Sequence, residues 1–158
     1  MTRDVLVRIS GLQLIDGEHD DVEVITSGDY FWKNGKHYIL YDEVIDGIEE
    51  SIRNTIKISE NRMEVKKTGA ATAVLSFAEG ERSTTSYATP MGEMLVQLTT
   101  TKIEREWEED HLHVAIDYSL DINYDHVSDC QITVDVCPRV GADLQLMEET
   151  RTNHYSER

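Results

Sequence analysis

The stretch LHVAIDYSLDI, residues 112–122, decides the fold of this chain. Its apolar side chains stand at every second position and alternate with polar or small ones such as His113 and Asp117. That period is typical of a β-strand with one face against a core and the other in water. Residues 130–136 repeat the pattern. Two such segments in succession predict an antiparallel sheet that covers an apolar core.

Tight turns separate similar runs along most of the chain. Asn34-Gly35 gives the strongest hairpin signal, because both residue types tolerate positive φ. In the central turn, residues 87–92, Pro90 suits the second position. The run from Glu93 to Trp107 is long for one strand, so it predicts a bulge or a bend near Thr99–Thr101.

About ten short strands without crossover helices predict an all-β, antiparallel fold. A sandwich and a barrel both fit this pattern. We favour an up-and-down β-barrel of about eight to ten strands, because closure removes exposed sheet edges. The barrel is expected over residues 1–138, with a loop at 123–129. Residues 139–158 are expected to form a polar C-terminal tail, in which a short helix at 142–151 is one alternative.

The charge balance excludes several classes of partner. The chain of 158 residues has 15 basic and 31 acidic side chains, for a formal net charge of −16. Such a field repels phosphate backbones and anionic lipid, so neither nucleic acid nor a membrane is an expected partner. A homodimer remains open. We see no signal peptide at the start of the sequence and no apolar run of about 18 residues.

The cysteines indicate a reducing compartment. Cys130 and Cys137 stand seven positions apart in one predicted strand, so their Cα atoms would lie roughly 23 Å apart on opposite faces. A disulfide requires Cα atoms within about 7 Å, so the two thiols are not expected to form a bond with each other. Together with the start of the sequence, this predicts a cytoplasmic protein.

The motifs of common enzymes and cofactor sites are absent. No two glycines stand two or four positions apart, which excludes the dinucleotide fingerprint and the nucleophile elbow. Asp121, Asn123 and Asp125 begin like a calcium loop, but His126 stands where that loop requires glycine. His111 and His113 share a strand face and would need a third ligand to bind zinc, such as His126 or an acid. We interpret them as a solvated pair, and we expect no metal and no cofactor.

The sharpest candidate for a site lies on the strand that returns from Asn34-Gly35. His37, Ile39, Tyr41 and Glu43 share one face, which would bring a phenol and a carboxylate into an apolar barrel. Buried carboxylates need partners. The available cations are Lys57, Lys67 and Arg82, and the available hydroxyls are those of Thr55, Tyr87 and Thr89. The predicted ligand-binding residues are therefore Tyr41, Glu43, Thr55, Lys67, Tyr87 and Thr89.

Seven segments in this order resemble the YwiB-like family, a domain of unknown function with a calycin-type, lipocalin-like β-barrel. The resemblance spans roughly residues 4–136. The segments are residues 4–9, 16–18, 34–39 together with 41–43, 55–58, 77–80, 87–92 and 117–123. The family pattern has an aromatic residue in place of Met91 and an arginine in place of Lys67. The resemblance implies the fold and supplies no activity.

Two functions from different classes fit these observations. The first is a cytoplasmic barrel that binds a small, partly apolar molecule at a mouth lined by the predicted residues. The second is a protein-interaction or structural module with a filled barrel. An enzyme that uses Glu43 as a general base has the least support, because no nucleophile or oriented histidine accompanies it.

Overall fold

The computed structural model describes residues 3–11, 23–44 and 50–139. Within these ranges the secondary structure is all β, in strands β1 Asp4–Ser10, β2 Glu23–Lys33, β3 Lys36–Glu43, β4 Ile52–Ile58, β5 Arg62–Gly69, β6 Ala73–Ala78, β7 Arg82–Thr89, β8 Gly92–Glu108, β9 His111–Ile122 and β10 Asp125–Pro138. A search of this part of the chain finds no helix with the length and hydropathy of a membrane span.

The ten strands form one antiparallel sheet in the order β6-β5-β4-β3-β2-β1-β10-β9-β8-β7. The two outermost strands, β6 and β7, are also neighbours along the chain. Thr72 and Ala88 exchange backbone hydrogen bonds of 2.9 Å beside them, and Thr100 pairs with Gly80 and Glu81 nearby. The sheet is therefore a nearly closed barrel, and the predicted all-β, antiparallel barrel is confirmed.

The barrel has two ends, which we call end A and end B. End A carries the β2–β3, β4–β5, β6–β7 and β8–β9 turns, and end B carries the β5–β6, β7–β8 and β9–β10 turns. At end A, Asn34 and Gly35 have φ of 54° and 74°, so the predicted hairpin turn forms with positive φ at both positions. At end B, the Thr89 hydroxyl accepts from the Met91 N–H and donates to the Gly92 carbonyl, which fixes the central turn.

The bulge predicted near Thr99–Thr101 is present in β8. The register against β9 shifts between Thr100 and Lys102. The intervening Thr101 donates its hydroxyl to the Asp117 carbonyl at 3.1 Å. An extra residue in one strand reverses which side chains point inward beyond it.

The loop predicted at residues 123–129 is wrong. Asn123 and Tyr124, with φ of 51° and 71°, form the whole turn, and β10 begins at Asp125. The register shift between His126 and Ser128 interrupts the alternation there, which is why the polar segment reads as a loop. The resemblance segment at residues 16–18 and the alternative helix at 142–151 lie outside the described residues.

The middle of the barrel is filled by apolar side chains. Ile56, Val65, Leu75, Phe77 and Ile116 each have no accessible surface. A side chain that bordered a cavity large enough for water would keep some accessible surface, and these keep none. The centre of the barrel therefore has no space for a ligand, and a binding site would lie at one of its ends.

Candidate functional site

A charged cluster lies inside the barrel near end B. The Lys67 Nζ donates to Glu43 Oε1 at 3.0 Å and to Asn54 Oδ1 at 2.8 Å. The Asn54 amide also donates to Glu43 Oε1, at 3.1 Å. The Lys67 side chain is 2% exposed and that of Glu43 15%, while Asn54 is fully buried. The three polar groups thus satisfy one another in an apolar setting, as buried charges require.

Strand register brings these groups together. Asn54 of β4 pairs with Tyr41 of β3 on one side and with Lys67 of β5 on the other. Directly opposed residues on neighbouring strands point to the same face. Glu43 lies two positions beyond Tyr41 on the same strand face, at the end of β3. The sheet therefore presents one row of polar side chains to the interior near the mouth at end B.

Two phenols complete the cluster. Tyr41 and Tyr87 are buried, at 5% and 1% exposure. Burial, and then the negative charge of Glu43, raises the pKa of both phenols above its usual value. Tyr87 adds a further small effect on Tyr41. The two hydroxyls are therefore neutral at pH 7, and the Glu43 carboxylate is near enough to affect the pKa of both. We call Tyr41, Glu43, Asn54, Lys67 and Tyr87 the mouth cluster.

Four of the six predicted ligand-binding residues meet in the mouth cluster, and two do not. Thr55 alternates with the buried Asn54 and is half-buried on the outer wall, so its predicted place in the interior is wrong. The hydroxyl of Thr89 forms its hydrogen bonds within the central turn. Of the other candidate cations, Lys57 pairs with Glu64 on the outer wall. Arg82 bonds Thr99 and Asp121 there.

Asn54 is the member of the mouth cluster that the sequence analysis did not predict. It stands between Ile52 and Ile56 in a strand whose even-numbered positions are all buried. An amide in an otherwise apolar row is a signal of an interior polar network, because a buried amide needs hydrogen-bond partners. The alternation along β4 therefore contained the information that assigns Asn54 inward and Thr55 outward.

The mouth cluster is suited to binding. Lys67 balances the charge of Glu43. In the described part of the chain the second carboxylate oxygen, Oε2, accepts no hydrogen bond. A carboxylate oxygen of this kind can accept a hydrogen bond from a donor group of a ligand. Glu43 is also the most exposed member of the cluster, so it is the group that a molecule at the mouth would meet first.

The predicted solvated pair of His111 and His113 is wrong in one respect, because both rings bind a buried carboxylate. His111 Nε2 and His113 Nδ1 lie 3.1 and 2.7 Å from Asp135 Oδ1, and Arg8 donates to Oδ2 at 3.3 Å. His126, the suggested third ligand, contacts Asp121 elsewhere. Among the described residues, no group of three metal-binding side chains is arranged to hold an ion.

Comparison with known proteins identifies the family. Residues 7–134 match the family model described as "Domain of unknown function (DUF1934)". The chain belongs to this family. It is also similar to a curated Bacillus subtilis (strain 168) protein, "Uncharacterized beta-barrel protein YwiB". The two are 26% identical over 120 residues, which cover 75% of this chain and 83% of the relative. The predicted resemblance to the YwiB-like family is thus confirmed.

A solved structure of the same relative supports the fold of this DUF1934 member. The crystal structure of ywiB protein from Bacillus subtilis matches with a TM-score of 0.68 and 24% identity. The match covers 85% of this chain and 89% of the other. At this identity the likeness establishes a shared barrel and carries no activity.

Proposed function

We propose that this DUF1934 barrel binds a small, partly apolar molecule at end B, with the polar part of the ligand against the mouth cluster. The observation that carries the proposal is Glu43: its Oε1 is held by Lys67 and Asn54, and its Oε2 accepts no hydrogen bond from the part of the chain that the structure describes. The favoured ligand carries a hydrogen-bond donor for that oxygen. Its apolar part would contact Ala70 and Ala71 of the β5–β6 turn, which are buried beside the cluster.

Binding at the mouth agrees with the packing of the barrel. The side chains halfway along the barrel have no accessible surface, so a ligand that needed a deep central cavity would have to displace them. A ligand that covers the end of the barrel displaces none of these central side chains. The proposed molecule is accordingly small, and it covers the cluster without threading the barrel.

Native mass spectrometry of the gently purified full chain is the first test, since it detects a retained small molecule as added mass. Tyr87→Phe, Glu43→Gln and Tyr118→Phe are then compared by thermal shift across a panel of small metabolites. Tyr118 is the matched control, because it is also a buried phenol and its hydroxyl donates to the Gly11 carbonyl, away from the mouth cluster.

The expected result is a stabilising metabolite whose effect is reduced in the Tyr87 and Glu43 variants and unchanged in the Tyr118 variant. A clean apo mass with no thermal shift across the panel would count against the proposal. Equal loss of the shift in all three variants would also contradict it, because general loosening of the core would then explain the effect.

A second candidate function, a protein-interaction or structural module with a filled barrel, is supported by one observation. The apolar side chains in the middle of the barrel are closely packed. In this case the mouth cluster is a structural polar network, and the net charge of −16 favours a basic partner. Affinity capture by immobilised full chain at low and high salt distinguishes this candidate, since a charge-driven partner is retained only at low salt.

We propose that the protein acts in a reducing compartment, namely the cytoplasm. The support is that Cys130 and Cys137 stand seven positions apart in the single strand β10, too far apart to form a disulfide with each other. Fractionation followed by alkylation of thiols tests this, with the expected result that both cysteines react after unfolding without prior reduction.

A further inference from the structure

A second candidate binding site lies at end A, where two exposed tryptophans pack on a buried histidine. Trp32 of β2 and Trp107 of β8 stack with ring centroids 4.7 Å apart, although their strands are not neighbours in the sheet. The ring of His37 lies beneath them, 4.8 Å from Trp32 and 4.4 Å from Trp107. Both indoles are about half exposed, at 50% and 47%, while His37 is fully buried. Large aromatic surface left in water beside a buried polar ring is typical of a binding site.

One nitrogen of the buried imidazole has no partner. His37 Nδ1 bonds the Tyr30 hydroxyl at 2.8 Å, whereas Nε2 is buried and, among the described residues, makes no hydrogen bond. Buried polar atoms are rarely left in this state. Tyr30 keeps its proton, because burial raises the pKa of its phenol. When that phenol donates to Nδ1, the hydrogen of the neutral ring is on Nε2, which is then a donor.

A cation stands beside the imidazole. Beyond the bulge of β8, Ile103, Arg105 and Trp107 share the inward face, and Arg105 pairs in register with the buried Val114. The positive charge of Arg105 contributes to the lowered pKa of His37. In the described part of the chain Arg105 forms no ion pair, although 31 of the 158 residues are acidic. A partly buried arginine that has no carboxylate partner can bind an anionic group of a ligand.

We propose that end A is a binding site for a small aromatic anion, such as an aromatic carboxylate. The Arg105 guanidinium would donate to the anionic group, and the ring of the ligand would stack on the exposed face of the tryptophan pair. Because the two indoles cover His37, its Nε2–H would join the site only after they tilt apart. Arginine matches the fork of a carboxylate, and offset stacking on indole suits a planar ring. The site differs from the mouth cluster in position, in its net charge and in the chemistry of its ligand: the mouth cluster is neutral overall, whereas end A carries the charge of Arg105.

Nearby acids restrict how such a ligand sits. A depression of about 700 Å³ opens beside Ile103 and is lined by Glu60, Glu79 and Glu81, with Arg62 paired to Glu81. These carboxylates repel an anion that enters the depression itself. Since Arg105 and Trp107 follow Ile103 along the strand at steps of roughly 7 Å, the anionic group is directed away from the acids and toward the tryptophans.

The sign of the ligand charge separates this site from non-specific attraction. A chain with a net charge of −16 attracts cations everywhere on its surface and repels anions. Benzoate, benzamide and benzylamine have nearly the same shape and carry a negative, a neutral and a positive group. Non-specific electrostatics ranks benzylamine first, and the proposed site ranks benzoate first.

The chain has only two tryptophans, so the experiment can observe the site directly. The ¹⁵N-labelled full chain is titrated with each probe, and the two indole N–H resonances are followed by NMR. Benzoate is expected to shift both resonances saturably, with benzamide and benzylamine at least about tenfold weaker, the ratio that a loss of roughly 1.4 kcal/mol gives. Arg105→Gln is expected to weaken benzoate by a similar factor, whereas Arg82→Gln, which removes the same charge on the outer wall, leaves it unchanged.

His37→Gln provides a second check, because it is expected to weaken benzoate while the two indole resonances stay dispersed. The proposal is overturned if benzoate leaves both indole resonances in place at high millimolar concentration. It is equally overturned if benzylamine binds as well as benzoate, or if the Arg105 and Arg82 variants bind benzoate alike while both keep the native spectrum.

Discussion

Replacement of Lys67 by methionine tests whether the mouth cluster contributes to stability as an ion pair. The side chain of Lys67 is 2% exposed and its Nζ lies 3.0 Å from Glu43 Oε1. Methionine keeps most of the volume and removes the charge. Among the described residues, the variant leaves the Asn54 amide as the one hydrogen-bond partner of the Glu43 carboxylate.

The expected magnitude follows from burial. Removal of one member of a buried pair costs about 3–5 kcal/mol, because the other charge stays uncompensated. The Glu43 side chain keeps 15% exposure and one hydrogen bond, so partial solvation softens the loss. We therefore expect Lys67→Met to lower the free energy of unfolding by about 3 kcal/mol, the lower end of that range. The double variant with Glu43→Gln should recover roughly 2 kcal/mol, because no unpaired charge remains.

Urea denaturation, followed by tryptophan fluorescence and by circular dichroism, measures these free energies, provided that the two transitions coincide. Lys57→Met is the matched control. Lys57 also faces a glutamate on the neighbouring strand, at 3.6 Å from Glu64, but both side chains are about one-third exposed on the outer wall. That variant is expected to lose less than about 1 kcal/mol. Equal losses in the two methionine variants, or a coupling between positions 43 and 67 below about 0.5 kcal/mol, would refute the ion-pair interpretation.

Three further predictions concern other parts of the barrel. Burial, and then Arg105, lowers the pKa of His37 from 6.5 to about 4, so the unfolded chain takes up the proton first as the pH falls. As the pH falls from 6.5 to 4, this difference should lower the free energy of unfolding by up to about 3 kcal/mol. In a plot of the urea midpoint against pH, His37→Gln should flatten this part of the curve. Gly69 has φ of 105°, and a Cβ there would lie 2.5 Å from the Ser51 carbonyl, whereas Gly35 has open space. Gly69→Ala should therefore lower the thermal midpoint clearly more than Gly35→Ala; equal shifts would contradict this account. Phe77→Ala should cost about 3–5 kcal/mol in urea denaturation, because it leaves a cavity where no accessible surface now exists; a loss below about 1 kcal/mol would mean that the core collapses onto the gap.

Alternation along single strands predicted much of the fold and part of the site. It assigned Tyr41 and Glu43 to one inward face, and the structure agrees. The same rule, applied to β4, assigns Asn54 inward and Thr55 outward. The inclusion of Thr55 rests on its hydroxyl alone and ignores its face. The physical signal lies in the row of buried isoleucines around Asn54.

Contacts between distant strands were beyond the reach of local patterns. Nothing in the composition of β2 or β8 indicates that Trp32 and Trp107 stack, because that contact depends on how the barrel closes. The contacts of His111 and His113 with Asp135 also depend on how separate strands pair. Two histidines on β9 appeared solvated because their shared carboxylate lies on β10, and register alone brings it within 3.1 Å of both rings.

The bulge in β8 shows how one residue determines what an end of the barrel can bind. Before the bulge, even-numbered positions such as Leu98 and Thr100 point inward; beyond it, the odd-numbered Ile103, Arg105 and Trp107 do. An unbroken strand would turn Glu104 and Glu106 toward the core and send Arg105 into water. Strand length predicts that a bulge exists but does not fix its position, and the position decides which side chains face inward beyond it. The aromatic and cationic character of end A thus depends on the extra residue Thr101, which is itself an exposed threonine that no local pattern distinguishes.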